Sequence, residues 1–190
     1  KYFMKDTLII IPVYNEASTI QNVAEKTRLA SEDFADILFV NDGSSDFSNK
    51  ILNELKTTYK TIFVIDKAKN EGYGASLLSG FDFAFQHNYP FIITMDCDEQ
   101  HQPKDLIRFR NEDPSIDIIS GSRYSNLSLS EGNAPIERVQ INKKITEKIN
   151  KRYGWNLTDS FCGFKRYTLR SLMGHTILEK GYSFPMDFWA

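Results

Sequence analysis

The sequence predicts an α/β domain with a mostly parallel central sheet and helices on both faces. Three observations carry this expectation. Short runs rich in apolar and β-branched residues recur at 7–13, 37–40, 61–65, 91–95 and 116–119. Such unbroken runs are what strands covered on both faces look like. Between them lie segments whose apolar positions follow helical spacing, and strand and helix alternate along the chain. Crossovers are expected to be right-handed.

Taken in order, residues 7–13 read as a buried strand ended by Pro12, and Asn15-Glu16 opens a helix with Ile20, Val23, Ala24 and Thr27 inside. Residues 37–40 run straight into Asn41-Asp-Gly-Ser-Ser-Asp46, a turn and helix N-cap signal. The helix that follows carries Ile51, Leu52, Leu55 and Tyr59. The strand at 61–65 leads to the glycine loop Asn70-Glu-Gly-Tyr-Gly74, then to a helix over 75–86 that buries Leu77, Leu78, Phe81, Ala84 and Phe85. The strand at 91–95 precedes a short helix over 103–110, and the strand at 116–119 ends at Ser120-Gly-Ser-Arg-Tyr124.

After Tyr124 the character changes. Residues 125–135 are polar and loop-like. A helix over 136–153 sets Arg138, Lys143, Lys144, Lys148, Lys151 and Arg152 against Glu137 and Glu147. Its apolar positions Val139, Ile145 and Ile149 are expected to dock on the sheet. Residues 158–167 read as a connection before a short helix over 168–173.

A chain of 190 residues is one domain. Its 41% hydrophobic and 25% charged content is ordinary for a globular protein. Net charge of −2 and little aromatic interleaving in the basic stretch argue against nucleic acid as a partner. Two cysteines, Cys97 and Cys162, make no disulfide scaffold, so a reducing, cytoplasmic setting is expected. They lack the paired spacing of a zinc site. The chain begins at Lys1 and stops within the apolar stretch 184–190, which reads as a C-terminally trimmed fragment.

The chemistry concentrates at strand ends. Polar clusters follow four of the predicted strands: Tyr14-Asn-Glu16, Asn41-Asp42, Asp96 to Gln100, and Ser120 to Arg123. In a parallel sheet these ends share one edge, where open α/β sheets bind ligands. Asp96 and Asp98 are two apart, so an extended chain points both carboxylates to one side. Two carboxylates there are costly unless a cation lies between them, and hard divalent cations choose oxygen ligands. The alternative is a turn and N-cap before Pro103. With Gly72 and Gly74 for close backbone approach and an arginine nearby, the set fits a metal-bridged nucleotide diphosphate. Neither the P-loop pattern nor the dinucleotide fingerprint is present.

The joint pattern Pro12-Val-Tyr-Asn-Glu16, Asn41-Asp-Gly-Ser-Ser-Asp46, Asn70-x-Gly-x-Gly74, Met95-Asp-x-Asp-x-Gln-His-x-Pro103 and Gly121-Ser-Arg-Tyr124 resembles the family 2 glycosyltransferases of the GT-A fold. Among these the chain is most similar to the polyprenyl-phosphate sugar transferases. The resemblance spans nearly the whole chain in order and spacing. It implies an inverting, metal-dependent transfer of a hexose from a GDP- or UDP-linked donor to a polyprenyl phosphate at the cytoplasmic face of a membrane. Residues 1–124 would be the nucleotide-sugar half and residues 125–190 the acceptor side. Pro12, Tyr14, Glu16, Val40, Asp42, Asp96 and Cys97 would border the nucleotide. Asp96, Asp98 and Gln100 would hold Mg²⁺ or Mn²⁺. Arg123, Arg138 and Lys165 would receive the acceptor phosphate. Asp98, Arg123 and Asp159 would be the catalytic set.

A lipid phosphate is already ionised and needs no base. A glycan hydroxyl, the alternative acceptor, needs one, and Asp159 and Asp187 are the candidates. Glu99, Cys97 and Asp187 depart from the residues more usual at those places. Other readings are a nucleotide-binding module without turnover and a nucleotidyltransferase. The latter is disfavoured by the lack of a basic glycine loop after the first strand. His101 reads as a structural hydrogen-bonder and both cysteines as buried fillers. The basic helix reads as a solvated face, with an anionic membrane surface as the sharper expectation.

Overall fold

The structure is a computed structural model that describes residues 5–124 and 136–173. The expected loop at 125–135, the apolar end at 184–190 and Asp187 lie outside the described residues. Six strands form one sheet: β1 (Thr7–Val13), β2 (Ala35–Asn41), β3 (Ile62–Asp66), β4 (Phe91–Thr94), β5 (Ile118–Ser120) and β6 (Lys165–Thr168), in the spatial order β3-β2-β1-β4-β6-β5. The helices are α1 (Ile20–Ser31), α2 (Ser48–Thr58), α3 (Tyr73–Gln86), α4 (Leu106–Asn111), α5 (Ile136–Tyr153) and α6 (Leu169–Leu172), with a 3-10 turn at Pro103–Asp105. β3, β2, β1 and β4 are parallel, and β6 runs antiparallel to both β4 and β5. β5 therefore points the same way as the parallel strands.

Period-2 alternation divides the sheet between two cores. One holds Ile9, Ile11, Val13, Ile37, Phe39 and Ile93 with Ile20 and Val23 of α1, Leu52 and Leu55 of α2, and Leu106 and Phe109 of α4. The other holds Leu8, Ile10, Leu38, Val40 and Ile92 with Leu77, Phe81 and Ala84 of α3. α3 approaches β1 tightly at Gly80, where a Cβ would lie 2.5 Å from Ile10 Cγ2. Helix propensity alone favours alanine over glycine by about 1 kcal/mol. Overpacking a tight core costs about 1–3 kcal/mol. Packing sets the sign here, so Gly80→Ala is expected to destabilise the domain by about 1 kcal/mol or more in urea titration. A gain in stability would show that the helix can shift away at little cost.

Three expectations change. Pro12 does not end β1, which continues to Val13. Ile10 O accepts from Met95 N, so even-numbered residues of β1 turn their backbone polar groups toward β4. The β1–β4 pairing stops at Ile10 opposite Thr94. The missing N–H of Pro12 therefore falls where no ladder partner waits. Second, Lys165-Arg-Tyr-Thr168 is a fully buried strand and not part of a connection. Its polar side chains are largely bonded: the two terminal nitrogens of Arg166 donate to the carbonyls of Phe109, Glu112, Asp113 and Ile116, which ties down the α4–β5 loop, while its buried Nε has no hydrogen-bond partner. Third, α5 docks through polar residues as well as the expected apolar ones: Asn142 and Thr146 are buried, while Val139, Ile145 and Ile149 are half-buried. Asn142 Nδ2 donates to Asp159 Oδ1 at 2.6 Å, and Thr146 Oγ1 to Ser160 Oγ at 2.9 Å. Asn150 bonds both the N–H and the carbonyl of Leu157. The seam Asn142/Thr146/Asn150, spaced four residues apart, thus holds segment 157–160.

Candidate nucleotide and phosphate site at the sheet edge

The carboxyl ends of β1, β2, β3, β4 and β5 share one edge, as the alternation predicts. Because β6 is antiparallel, its start joins them: Lys165 stands opposite both Thr94 and Ser120. Segment 158–164 is thereby delivered to the edge where Asp96 and Arg123 lie.

The loops after β1 and β2 are knitted together. Asn15, with φ of 58°, donates its N–H to Ser44 Oγ and accepts the Ser45 N–H on its Oδ1. The N–H of Ala17 goes to Asp46 Oδ2 and that of Glu16 to Ser48 Oγ. Burial works to raise the Asp46 pKa, but bonds from Ser48, through its hydroxyl and its N–H, and from the Ala17 N–H hold the carboxyl below its ordinary range. Tyr14 stands half exposed on this junction, Pro12 and Glu16 are partly buried beside it, and Val40 is fully buried in the sheet below.

Asp42 is buried. Its carboxylate accepts the N–H groups of Glu71 and Gly72, at 2.8 Å for Gly72, and lies 3.3 Å from Lys67 Nζ. The glycine loop is therefore anchored on Asp42. Gly43, with φ of 67°, lets the loop close in: a Cβ there would sit 2.4 Å from the backbone of Lys69.

At the end of β4 the alternation holds. Cys97 is buried in the core beside Thr19, and its thiol is pushed up to about 12 by burial. Asp96 falls on the other side, toward α3. Asp96 Oδ1 accepts from Tyr73 Oη at 2.9 Å, and Oδ2 lies 3.7 Å from His101 Nε2. His101 Nδ1 accepts the Asp96 N–H at 3.0 Å, so the ring proton sits on Nε2 and faces the carboxylate. Burial lowers the His101 pKa, which favours that neutral ring, stacked on Phe164. Asp98 is exposed; its Oδ1 accepts the N–H of Gln100, which is also exposed. The turn reading holds here: Asp98 bonds the N–H two residues on, and Glu99 has φ of 63°.

Across the edge, Arg123 meets Asp159 in a bidentate pair, Nε to Oδ2 at 2.8 Å and Nη2 to Oδ1 at 3.0 Å. Asp159 also accepts the N–H groups of Arg123 and Phe161 and the Asn142 amide. Burial works to raise its pKa, but these bonds, led by Arg123, carry it below the carboxylate range. A buried carboxylate with five donors is a poor proton acceptor, so Asp159 does not have the setting of a general base. Arg123, raised in pKa chiefly by its bond to Asp159, remains 41% exposed in its side chain. Arg138 is exposed in the first turn of α5. Lys165 lies beneath the site and does not line it. It is fully buried, its Nζ donates to the Cys162 carbonyl, and burial lowers its pKa to about 8.

Sequence reasoning missed Tyr73 and Gly163. A Cβ on Gly163 would lie 2.9 Å from both Asp96 Oδ2 and Tyr73 Oη. The signal available was a glycine inside an apolar run, which marks close backbone approach.

Among the described residues, no three His, Cys, Asp or Glu side chains are grouped to enclose a metal. The donor chemistry still suits one kind of ion. Asp96 and Asp98 supply oxygen, and the protonated Nε2 of His101 excludes it as a ligand. A hard cation of the Mg²⁺ or Mn²⁺ type, held by one or two carboxylates and otherwise by substrate phosphates and water, fits that set.

A profile described as Glycosyl transferase family 2 matches residues 8–174. The polyprenol monophosphomannose synthase of Mycolicibacterium smegmatis is 29% identical over 186 residues, covering 95% of this chain and 69% of that one. The undecaprenyl-phosphate mannosyltransferase of Micrococcus luteus is 29% identical over 183 residues, covering 95% and 74%. Among solved structures, the glucosyl-3-phosphoglycerate synthase of Mycobacterium tuberculosis in complex with Mn²⁺, UDP and phosphoglyceric acid superposes with a TM-score of 0.73 at 12% identity. That match covers 97% of this chain and 62% of the other, and it shows the GT-A fold.

Proposed function

The chain belongs to glycosyl transferase family 2, and from that premise we propose that it moves a hexose from a nucleoside-diphosphate sugar to a polyprenyl phosphate, with inversion. The observation that carries this reading is one sheet edge bearing two opposed devices. On one side are the Asp42-anchored loop and the Asp96/Asp98 carboxylates. On the other is an arginine oriented by a buried aspartate. The names of the two relatives support the acceptor class and a mannosyl donor. The UDP complex of the structural relative leaves a UDP-linked donor as the second candidate.

In this reading Tyr14 and the knitted loops border the nucleobase. Asp96 and Asp98, with Gln100 beside them, would hold Mg²⁺ or Mn²⁺, which when bound offsets the charge on the departing diphosphate. Asp159 fixes the plane of Arg123 through Nε and Nη2, leaving Nη1 to meet a phosphate oxygen. Arg138 is a second cation for the same group. A phosphate nucleophile carries its negative charge at neutral pH, so no carboxylate has to take a proton. The saturated hydrogen bonding of Asp159 accords with that. The test is transfer of labelled sugar from GDP-mannose or UDP-glucose, with Mn²⁺, to a short-chain polyprenyl phosphate. Transfer is expected with one donor. Hydrolysis alone, or transfer only to glycan hydroxyls, overturns the acceptor assignment.

The lipid acceptor brings the domain to a membrane surface, at the cytoplasmic face in this reading. No helix among the described residues is long and apolar enough to cross a bilayer. The side of α5 away from its polar seam exposes Lys143, Lys144, Lys148, Lys151 and Arg152, with Ile141 among them. Each basic residue near an anionic surface contributes about 1 kcal/mol. Vesicles with 30 mol% anionic lipid are expected to bind the protein at least tenfold better than neutral ones. The preference should vanish in Lys144→Glu/Lys148→Glu/Lys151→Glu. Equal binding to neutral vesicles would remove α5 from the membrane contact.

A further inference from the structure

The glycine loop lies between the two acidic groups of the site and touches both. Asp42 accepts the N–H groups of Glu71 and Gly72. The next residue, Tyr73, donates its hydroxyl to Asp96 Oδ1 at 2.9 Å. Three consecutive residues thus bridge a carboxylate after β2 to one after β4. Tyr73 opens α3, whose body is packed in the core through Ala75, Leu77 and Phe81. The hydroxyl is therefore carried on a rigid element.

The far side of the pair is closed as well. Gly163 passes so near that a Cβ would sit 2.9 Å from both Tyr73 Oη and Asp96 Oδ2. The Gly163 carbonyl is in turn fixed by Thr94 Oγ1 at 2.6 Å. Here Tyr73 holds one oxygen, Gly163 limits the other, and the loop that carries Tyr73 is anchored on Asp42.

We propose that Tyr73 is a positioning residue that links the two halves of the donor site: it holds Asp96 in its metal-ligating orientation and ties that orientation to the nucleotide-side loop on Asp42. The proposal rests on the glycosyltransferase reading above. Its consequence is that nucleotide and divalent metal bind cooperatively through Gly72-Tyr73, since ordering the loop for one ligand orders the carboxylate for the other.

The test is calorimetry of UDP and GDP, with and without Mn²⁺, on wild type, Tyr73→Phe and Gly163→Ala. Phenylalanine keeps the ring and removes only the hydroxyl. Groups that orient a metal-binding carboxylate typically change metal affinity by about 10–100-fold when removed. Tyr73→Phe is therefore expected to weaken Mn²⁺ about tenfold in the presence of nucleotide and to leave metal-free nucleotide affinity unchanged. Gly163→Ala, which displaces the same pair from the other side, is expected to show the same selective loss. A Tyr73→Phe protein with wild-type Mn²⁺ dependence overturns the proposal while leaving the glycosyltransferase reading intact. So does an equal loss with and without metal, which would mark Tyr73 as merely structural. Wild-type protein that binds neither nucleotide under any condition overturns both.

Discussion

Asp98→Ala is expected to abolish Mn²⁺-dependent nucleotide binding and to lower sugar transfer at least 100-fold, with no change in folding. Asp98 is exposed at the end of a buried strand, and its carboxylate bonds only the N–H of Gln100 among the bonds seen. Nothing in the core depends on it. A hard cation at this edge draws on few protein oxygens, so removing one of two carboxylates takes away a large share of the protein's hold on it. The loss then falls where negative charge builds on the leaving diphosphate, and one such electrostatic contact is worth about 10²–10³ in rate. Asp96→Asn is expected to match it in transfer, because the amide keeps an oxygen for Tyr73 but not the charge. The measurements are calorimetry with and without Mn²⁺ and a transfer assay. Full activity in Asp98→Ala would mean that the metal, if required, is held elsewhere.

The second large effect is on stability. Asp159→Ala strips an acceptor from Arg123, from the buried Asn142 amide and from the Phe161 N–H at once. Breaking a buried pair by removing one partner costs about 3–5 kcal/mol. Arg123 is partly exposed and can be rehydrated, so a loss of about 2–3 kcal/mol is expected, read as a lower midpoint in urea. The pH dependence follows from the depressed carboxyl. Its folded-state pKa is below the unfolded value of 3.8. The contribution is therefore complete above that value and is lost as pH falls through the folded pKa. The gap between wild type and Asp159→Ala should be constant from pH 5 to 8 and should narrow below pH 4. Transfer is expected to fall too, because Arg123 loses its orientation; Arg123→Lys, which cannot form the two-pronged pair, should fall with it. A stable, active Asp159→Ala protein would separate the pair from both fold and function.

The strands that could be read from the sequence were those whose residues announce themselves by solubility. Residues such as Ile9, Leu38 and Ile92 belong in a covered sheet wherever the rest of the chain goes. Strand β6 could not be read that way. Lys165, Arg166 and Thr168 look like loop residues; inside the sheet Arg166 is held by carbonyls more than fifty residues away, Thr168 by the Asp117 carboxylate and Lys165 by the nearby Cys162 carbonyl. The same reason hid the docking of α5. Its apolar positions Val139, Ile145 and Ile149 are half-buried, but the deepest residues are Asn142 and Thr146, which turn inward because Asp159 and Ser160 wait there.

By itself the sequence determined the α/β class, the edge at which polar clusters gather, and the carboxylates and arginine that gather there. Each of these depends on local chemistry and on the period-2 rule, which places Cys97 inward and Asp96 on the opposite side. Only the tertiary structure decided the partners. Asp159 pairs with Arg123, Lys165 lies beneath the site, and Tyr73 and Gly163 close around Asp96. A buried charge takes its role from whichever opposite charge or donor lies within about 3 Å. That distance is set by segments tens of residues apart meeting at one end of the sheet.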